Sequence, residues 1–282
     1  MDRIKILLTN DDGIHSAGLR YLWEALKGKV DLFIAAPQEE RSGFGAAVTM
    51  GGPLRVESVD LYPGTLAWKI GGTPADCVRL ALSTLLPSRP DFIFSGINHG
   101  SNAGRNIFYS GTVGGVIQGV LHSGIPGIAF SYFDETPSFP QVKQFIPQIV
   151  DYIVDHPLPE GTFLNVNFPA LPASEVKGYK MARQGKSYWI ETATKNLQTD
   201  NHTVYWLEGA GTICDEHEES DIALLEQGYI TAVPLHINEL TDQRHFIHAK
   251  VAFEKTLNSP LIKPSEAEQP EAKLKELEDE FA

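Results

Sequence analysis

The chain has 282 residues, 42% hydrophobic and 21% charged, an ordinary globular composition with material for a substantial core. Its 23 Lys and Arg face 36 Asp and Glu, a net charge of −13, so it has no broad cationic surface for duplex nucleic acid or an anionic membrane. Two cysteines, Cys77 and Cys214, support neither a disulfide framework nor a thiolate zinc site. The longest apolar runs, such as 125–132, are too short to span a bilayer. The chain turns polar at Asn10, where a targeting segment would still be apolar, so a soluble cytoplasmic protein is expected.

In chain order, 4–8 is a short apolar run that stops in the polar loop Thr9-Asn10-Asp11-Asp12-Gly13. Residues 18–26 place Leu19, Leu22, Trp23 and Leu26 at i, i+3, i+4 and i+7, which predicts a helix. A second buried strand is expected over 30–36, a helix over about 74–86, a third strand over 91–95, a helix over 113–121 and a fourth strand over 126–131. That alternation predicts an α/β fold with a mostly parallel sheet. Beyond about residue 150 the strand-like runs 163–168, 177–182, 203–207 and 229–233 are separated by turn-rich polar stretches, read as β-rich extensions of the core. Residues 264–282 are acid-rich, with a short amphipathic helix around Lys273–Phe281, and are expected to form an exposed tail.

Ligands of open α/β sheets bind beyond the C-terminal strand ends. Those positions here carry Asn10, Asp11 and Asp12; then Arg41, Ser42 and Gly43; then Ser95, Gly96 and Asn98, leading on to Ser110-Gly111-Thr112. Two carboxylates among neutral oxygen donors suit a hard divalent cation such as Mg²⁺ or Mn²⁺ rather than zinc. Asn10-Asp11-Asp12-Gly13 also reads as a simple helix cap, but a cap needs one carboxylate, and two adjacent ones repel unless a cation sits between them. Ser110-Gly111-Thr112 opens a helix and offers hydroxyls and N–H groups to an anion, or merely caps it. His15 and His99 lie near the cluster. Dinucleotide (G-x-G-x-x-G), P-loop and nucleophile-elbow motifs are absent.

Several segments together resemble the SurE survival-protein family of 5′/3′-nucleotidases. They are 6–13, Ala36-Pro37-Gln38 with Arg41-Ser42-Gly43, Gly72-Thr73-Pro74-Ala75-Asp76-Cys77, Ser95-Gly96-Ile97-Asn98-His99-Gly100, 109–114 and 228–242. The similarity runs over about residues 4–245. It implies a three-layer αβα, Rossmann-like core over about 1–150. A β-rich part over 151–263 would complete a single domain and exchange elements within a dimer or tetramer. It also implies one divalent metal ion per subunit, held by Asp11, Asp12, Ser42 and Asn98, with Asp11 and Asp12 catalytic. Asn10, Gly43, Ser110, Gly111 and Thr112 would bind the phosphate of a nucleoside monophosphate. Gly45-Ala46-Ala47 lacks a small polar residue or His common in the family, and 102–106 carries Arg105 where acids are common. The expected reaction is hydrolysis by metal-activated water. An aspartyl-phosphate route, a nonenzymatic nucleotide sensor and a phosphatase acting on short polyphosphate stand as alternatives.

Overall fold

The computed structural model describes residues 3–133, 139–198, 202–212 and 214–258. Tail residues 264–282, with the helix expected around Lys273–Phe281, lie outside them. Two compact units are present, Met1–Ile237 and Asn238–Ala282.

The first unit is built on a nine-stranded sheet. Its strands are β1 (Lys5–Thr9), β2 (Asp31–Pro37), β3 (Val56–Val59), β4 (Leu66–Ile70), β5 (Phe92–His99), β6 (Gly127–Tyr132), β7 (Thr162–Phe168), β8 (Tyr179–Met181) and, after a separate hairpin, β11 (Ile230–His236). The spatial order is β3-β4-β2-β1-β5-β6-β7-β11-β8. The run from β4 through β7 is parallel, whereas β3 on β4 and β11 on β7 are antiparallel. Successive side chains point to opposite faces of a strand, and the core divides accordingly. Ile6 and Leu8 join one apolar cluster with Leu19, Leu22, Phe94 and Ile146, whereas Leu7 joins another with Val78 and Ile93. The first cluster packs under α1 (Ala17–Leu26) and α5 (Ile146–Asp155), the second under α2 (Pro74–Leu80). With α3 (Gly111–Ser123) on the α2 side and the short α4 (Phe139–Val142) near α1, this is the expected three-layer αβα arrangement.

Local sequence explains the helix starts. Ser16 caps α1 by accepting from the Leu19 N–H, and Leu19, Leu22, Trp23 and Leu26 are its buried face, as their spacing predicts. Thr73 and Asp76 form a reciprocal capping box ahead of Pro74 in α2. Asp76 also accepts from the N–H and hydroxyl of Thr49, so Gly72-Thr73-Pro74-Ala75-Asp76 has a structural role. Gly119 of α3 faces Ile93, where a Cβ would sit 2.0 Å from the Ile93 Cδ1, so α3 lies unusually close to the sheet.

The chain departs from expectation in several places, the helices α4, α5 and Gln243–Asn258 among them. The helix expected over 74–86 is α2 followed by a π-helical turn, Ala81–Leu85. The pair β3–β4 forms a sheet edge that alternation did not reveal. Past residue 150 the chain also holds α6 (Asp221–Glu226), in addition to β strands of the main sheet. The 203–207 run is part of the hairpin β9 (Trp189–Gln198) and β10 (Thr203–Gly211), which is separate from the main sheet. Tyr205, Trp206 and Leu207 of that hairpin are all more than half exposed.

The second unit contributes α7 (Gln243–Asn258), where Asp242 accepts from the His245 N–H. Phe246, Phe253 and Leu257 recur on one face of it and are exposed.

Phe130, fully buried, stacks on Phe168 and meets Phe94 edge-on at the sheet centre. Phe130→Ala is expected to remove about 3–5 kcal/mol of stability, read as a lower midpoint in chemical denaturation. An unchanged midpoint would place the core elsewhere.

Candidate active site

The sheet order makes the site. From β1 the chain moves to β2 on one side, then returns to β5 on the other, so β1 and β5 border the topological switch point. A crevice opens there beyond the strand ends. Asp11 and Asp12 follow β1, Ser42 and Gly43 follow β2, Asn98 lies near the end of β5, and Ser110 caps α3. A cleft of about 600 Å³ is lined by Asp11, Ser42, Gly43, Asn98 and Ser110 together with His99. Its far wall includes Ser101, Asn102, Asn106, Tyr109 and Trp189.

Asp11 is almost wholly buried, and burial is the main cause that raises its carboxyl above the usual carboxylate range. The Thr112 hydroxyl and N–H donate to it and oppose the rise. Burial, then the charge of Asp11, push Asp12 up to about 7, although the His99 N–H donates to it. Glu40 adds a smaller repulsion at both. The pair therefore carries more negative charge than the surrounding protein compensates. Gly111 is required by the same crowding, because a Cβ there would sit 2.8 Å from the Asp11 Oδ2.

The neutral donors complete a cradle that suits a hard cation. Asn98 donates its amide N–H to the Gly100 carbonyl, which leaves its carbonyl oxygen as the acceptor. Ser42 is exposed, and its hydroxyl bonds Glu40. No group of three or more His, Cys, Asp or Glu positioned for a metal occurs among the described residues, so a bound ion would rely on the two aspartates and on neutral oxygens.

Two residues expected at the phosphate hold internal partners in this structure. Asn10 is fully buried and spends its amide N–H groups on the Gly13 carbonyl and the Ser16 hydroxyl, so it braces the loop and retains no donor for an anion. Thr112 is fully buried beneath Asp11 and spends its hydroxyl proton there. Ser110 and Gly43 do line the cleft; the Ser110 hydroxyl accepts from the Val113 N–H and keeps its own proton to donate. His99 is in the cleft wall, whereas His15 is exposed on the loop before α1.

A network missing from the sequence reading holds the wall. Asn165 and Asn167 of β7 are fully buried. The Asn167 carbonyl oxygen accepts from the Asn102 N–H and the Ser101 hydroxyl, and the Asn165 amide donates to the Asn102 carbonyl. Asn102 itself donates to the Ser131 hydroxyl. The available signal was Asn-Val-Asn inside an apolar strand, since buried amides need partners. Asp221 extends the bracing: its buried carboxylate accepts from the N–H groups of Gly104 and Gly185.

The fold and its crevice define an α/β protein with a doubly wound sheet and a ligand cleft at the switch point. Residues 6–191 match the family described as Survival protein SurE. The chain is 49% identical over 256 residues to the 5′-nucleotidase SurE of Protochlamydia amoebophila, covering 90% of this chain and 98% of that one. It is 39% identical over 237 residues to the 5′-nucleotidase SurE of Cytophaga hutchinsonii, covering 83% and 91%. The crystal structure of the SurE protein from Aquifex aeolicus superposes with a TM-score of 0.76 at 36% identity, covering 88% of this chain and 99% of that one. The chain belongs to the SurE family. No helix among the described residues is long and apolar enough to cross a membrane.

The raised Asp12 has a thermodynamic consequence. A carboxyl that binds its proton more tightly when folded stabilises the fold at low pH and loses that contribution as pH rises through its folded value. Without metal, the melting temperature should therefore fall between about pH 5 and about pH 8. Asp221, raised to about 6 mainly by burial, adds a smaller slope of the same sign. Asp12→Asn should flatten most of the fall, and Mn²⁺ should raise the wild-type melting temperature more at the higher pH. A metal-free melting temperature that rises over this window would contradict the picture of uncompensated charge.

Proposed function

We propose that this chain is a divalent-metal-dependent nucleotidase that hydrolyses nucleoside monophosphates to nucleoside and phosphate, acting at the 5′ and also the 3′ position. The observation that carries the reading is the pair of crowded carboxylates at the switch point, of which Asp11 lines a cleft shared with Ser42, Asn98 and Ser110. Two relatives that match most of this chain bear the name 5′-nucleotidase, which supports it.

Asp11, Asp12, Ser42 and Asn98 would hold one Mg²⁺ or Mn²⁺ ion. Such an ion neutralises phosphate charge and makes a nearby water more acidic. Ser110, with the α3 N-terminus behind it, and the Gly43 backbone orient the phosphate oxygens. Thr112 and Gly111 fix the Asp11 carboxylate, and Asn10 fixes the loop that carries both aspartates. Asp12 is less buried than Asp11, so Asp12 would take the proton of the attacking water. The water oxygen bonds to phosphorus as the ester P–O bond breaks, and the nucleoside oxygen leaves with a proton taken from solvent water, to which Asp12 in turn releases its own.

The test is phosphate release from a panel of nucleoside monophosphates with and without EDTA. Asp12→Asn is expected to lose at least about a hundredfold in turnover, with weaker metal response. If Asp12 were only a helix cap, Asn would replace it with little loss. Saturable nucleotide binding without phosphate release would instead favour a sensor.

The reading includes self-association. The exposed side chains of Tyr205, Trp206 and Leu207 on the hairpin, and separately of Phe246, Phe253 and Leu257 on α7, are apolar surfaces that a second subunit would cover. Light scattering at micromolar concentration should give the mass of a dimer or tetramer, and a monomer mass would remove this part of the proposal.

A further inference from the structure

The polar side chains of Asp11, Ser42 and Ser110 line the cleft together with the indole of Trp189. A neighbouring cavity of about 570 Å³ shares Asn98, His99, Asn106 and Trp189 with it and adds the apolar side chains of Phe133 and Ile222. The two adjoining cavities therefore combine a carboxylate and hydroxyls, amides, and aromatic and aliphatic surface. A nucleoside monophosphate has three matching parts: charged phosphate, hydroxylated sugar, flat aromatic base.

Trp189 is 53% exposed, yet its backbone is tightly held. Its N–H donates to the Asn106 side-chain carbonyl at 3.1 Å, and two residues earlier the Ser187 carbonyl accepts from the Arg105 N–H at 2.8 Å. Glu216 accepts from the N–H and hydroxyl of Ser187. Asp221 joins the same two segments through Gly104 and Gly185. A Cβ on Gly104 would sit 2.2 Å from the Ser187 carbonyl oxygen, so the foot of the hairpin is seated directly against the cleft wall. A large ring facing water on an immobilised backbone is a preorganised stacking surface, and little ordering remains to be done when a planar ligand arrives.

We propose that Trp189 is the nucleobase platform of this site, with Phe133 and Ile222 forming the apolar end of the base pocket. The inference rests on the nucleotidase reading and deepens it by assigning what binds the base. Stacking uses a ring face that every base presents, so the site accepts all bases and holds purines, with their larger faces, more tightly than pyrimidines.

The experiment compares wild type, Trp189→Ala and Trp189→Phe on adenosine and cytidine monophosphates and on ribose 5-phosphate, which lacks a base. Trp189→Ala should raise KM for adenosine monophosphate about tenfold and for cytidine monophosphate less, with kcat within about threefold. Trp189→Phe should retain most of the affinity, and kcat/KM for ribose 5-phosphate should be unchanged in both variants. Equal losses on ribose 5-phosphate, or no change in KM for either nucleotide, would overturn the assignment while leaving the nucleotidase reading intact. Fluorescence titration with adenosine monophosphate supplies an arm independent of turnover. Quenching in wild type that is lost in Trp189→Phe supports the platform even if wild type releases no phosphate, the result that would sink the nucleotidase reading. Quenching that is the same in both proteins counts against Trp189.

Discussion

The burial of two neighbouring carboxylates is the constraint around which this molecule is arranged. Asp11 and Asp12 follow one another directly after β1, one buried and the other half-buried; burial makes both harder to ionise, and the charge of Asp11 adds to this at Asp12. An arrangement of this kind costs stability unless something of opposite charge enters, and the surroundings supply only part of that. The Thr112 hydroxyl and N–H serve Asp11, and the His99 N–H serves Asp12. The residue between Ser110 and Thr112 must be glycine because Asp11 occupies the space of a side chain. Strain held at a functional site in this way is compensated by the rest of the core, here two apolar layers on either side of a nine-stranded sheet.

The wall opposite the aspartates is held by other means. Buried amides of Asn165 and Asn167 grip the loop after β5, and the carboxylates of Asp221 and Glu216 grip the foot of the hairpin. Each of these groups satisfies backbone donors or acceptors from a segment distant in sequence. Polar groups buried in this manner lose much when one partner is removed, which makes the wall rigid rather than merely packed. The two walls thus rest on separate supports that meet in one cleft.

Asn10 and Thr112, both expected at the phosphate, illustrate what a motif leaves open. Both carry a polar group suited to that expectation. Their donors are nonetheless spent on Gly13, Ser16 and Asp11, because both side chains are buried beneath the surface of the cleft. They shape the site without lining it. Sequence adjacency does not tell which face of a loop a side chain takes. The sheet edge β3–β4 was invisible for a related reason: its strands are short and half-exposed, so no apolar alternation marks them.

By itself the sequence determined the alternation of short apolar strands with helices, the crowding of oxygen donors after three strands, and the family. All of these are local: period and composition act over a few residues and leave their mark in order along the chain. Only the tertiary structure decided that β1 and β5 border the crevice, that Asn165 and Asn167 brace its wall, and that Trp189, far along the chain, stands in the same cleft as Asp11. Those relations depend on strand order and on hydrogen bonds between segments as much as 117 residues apart. No local signal encodes such a pairing, because its free energy appears only once both segments are buried against the same sheet.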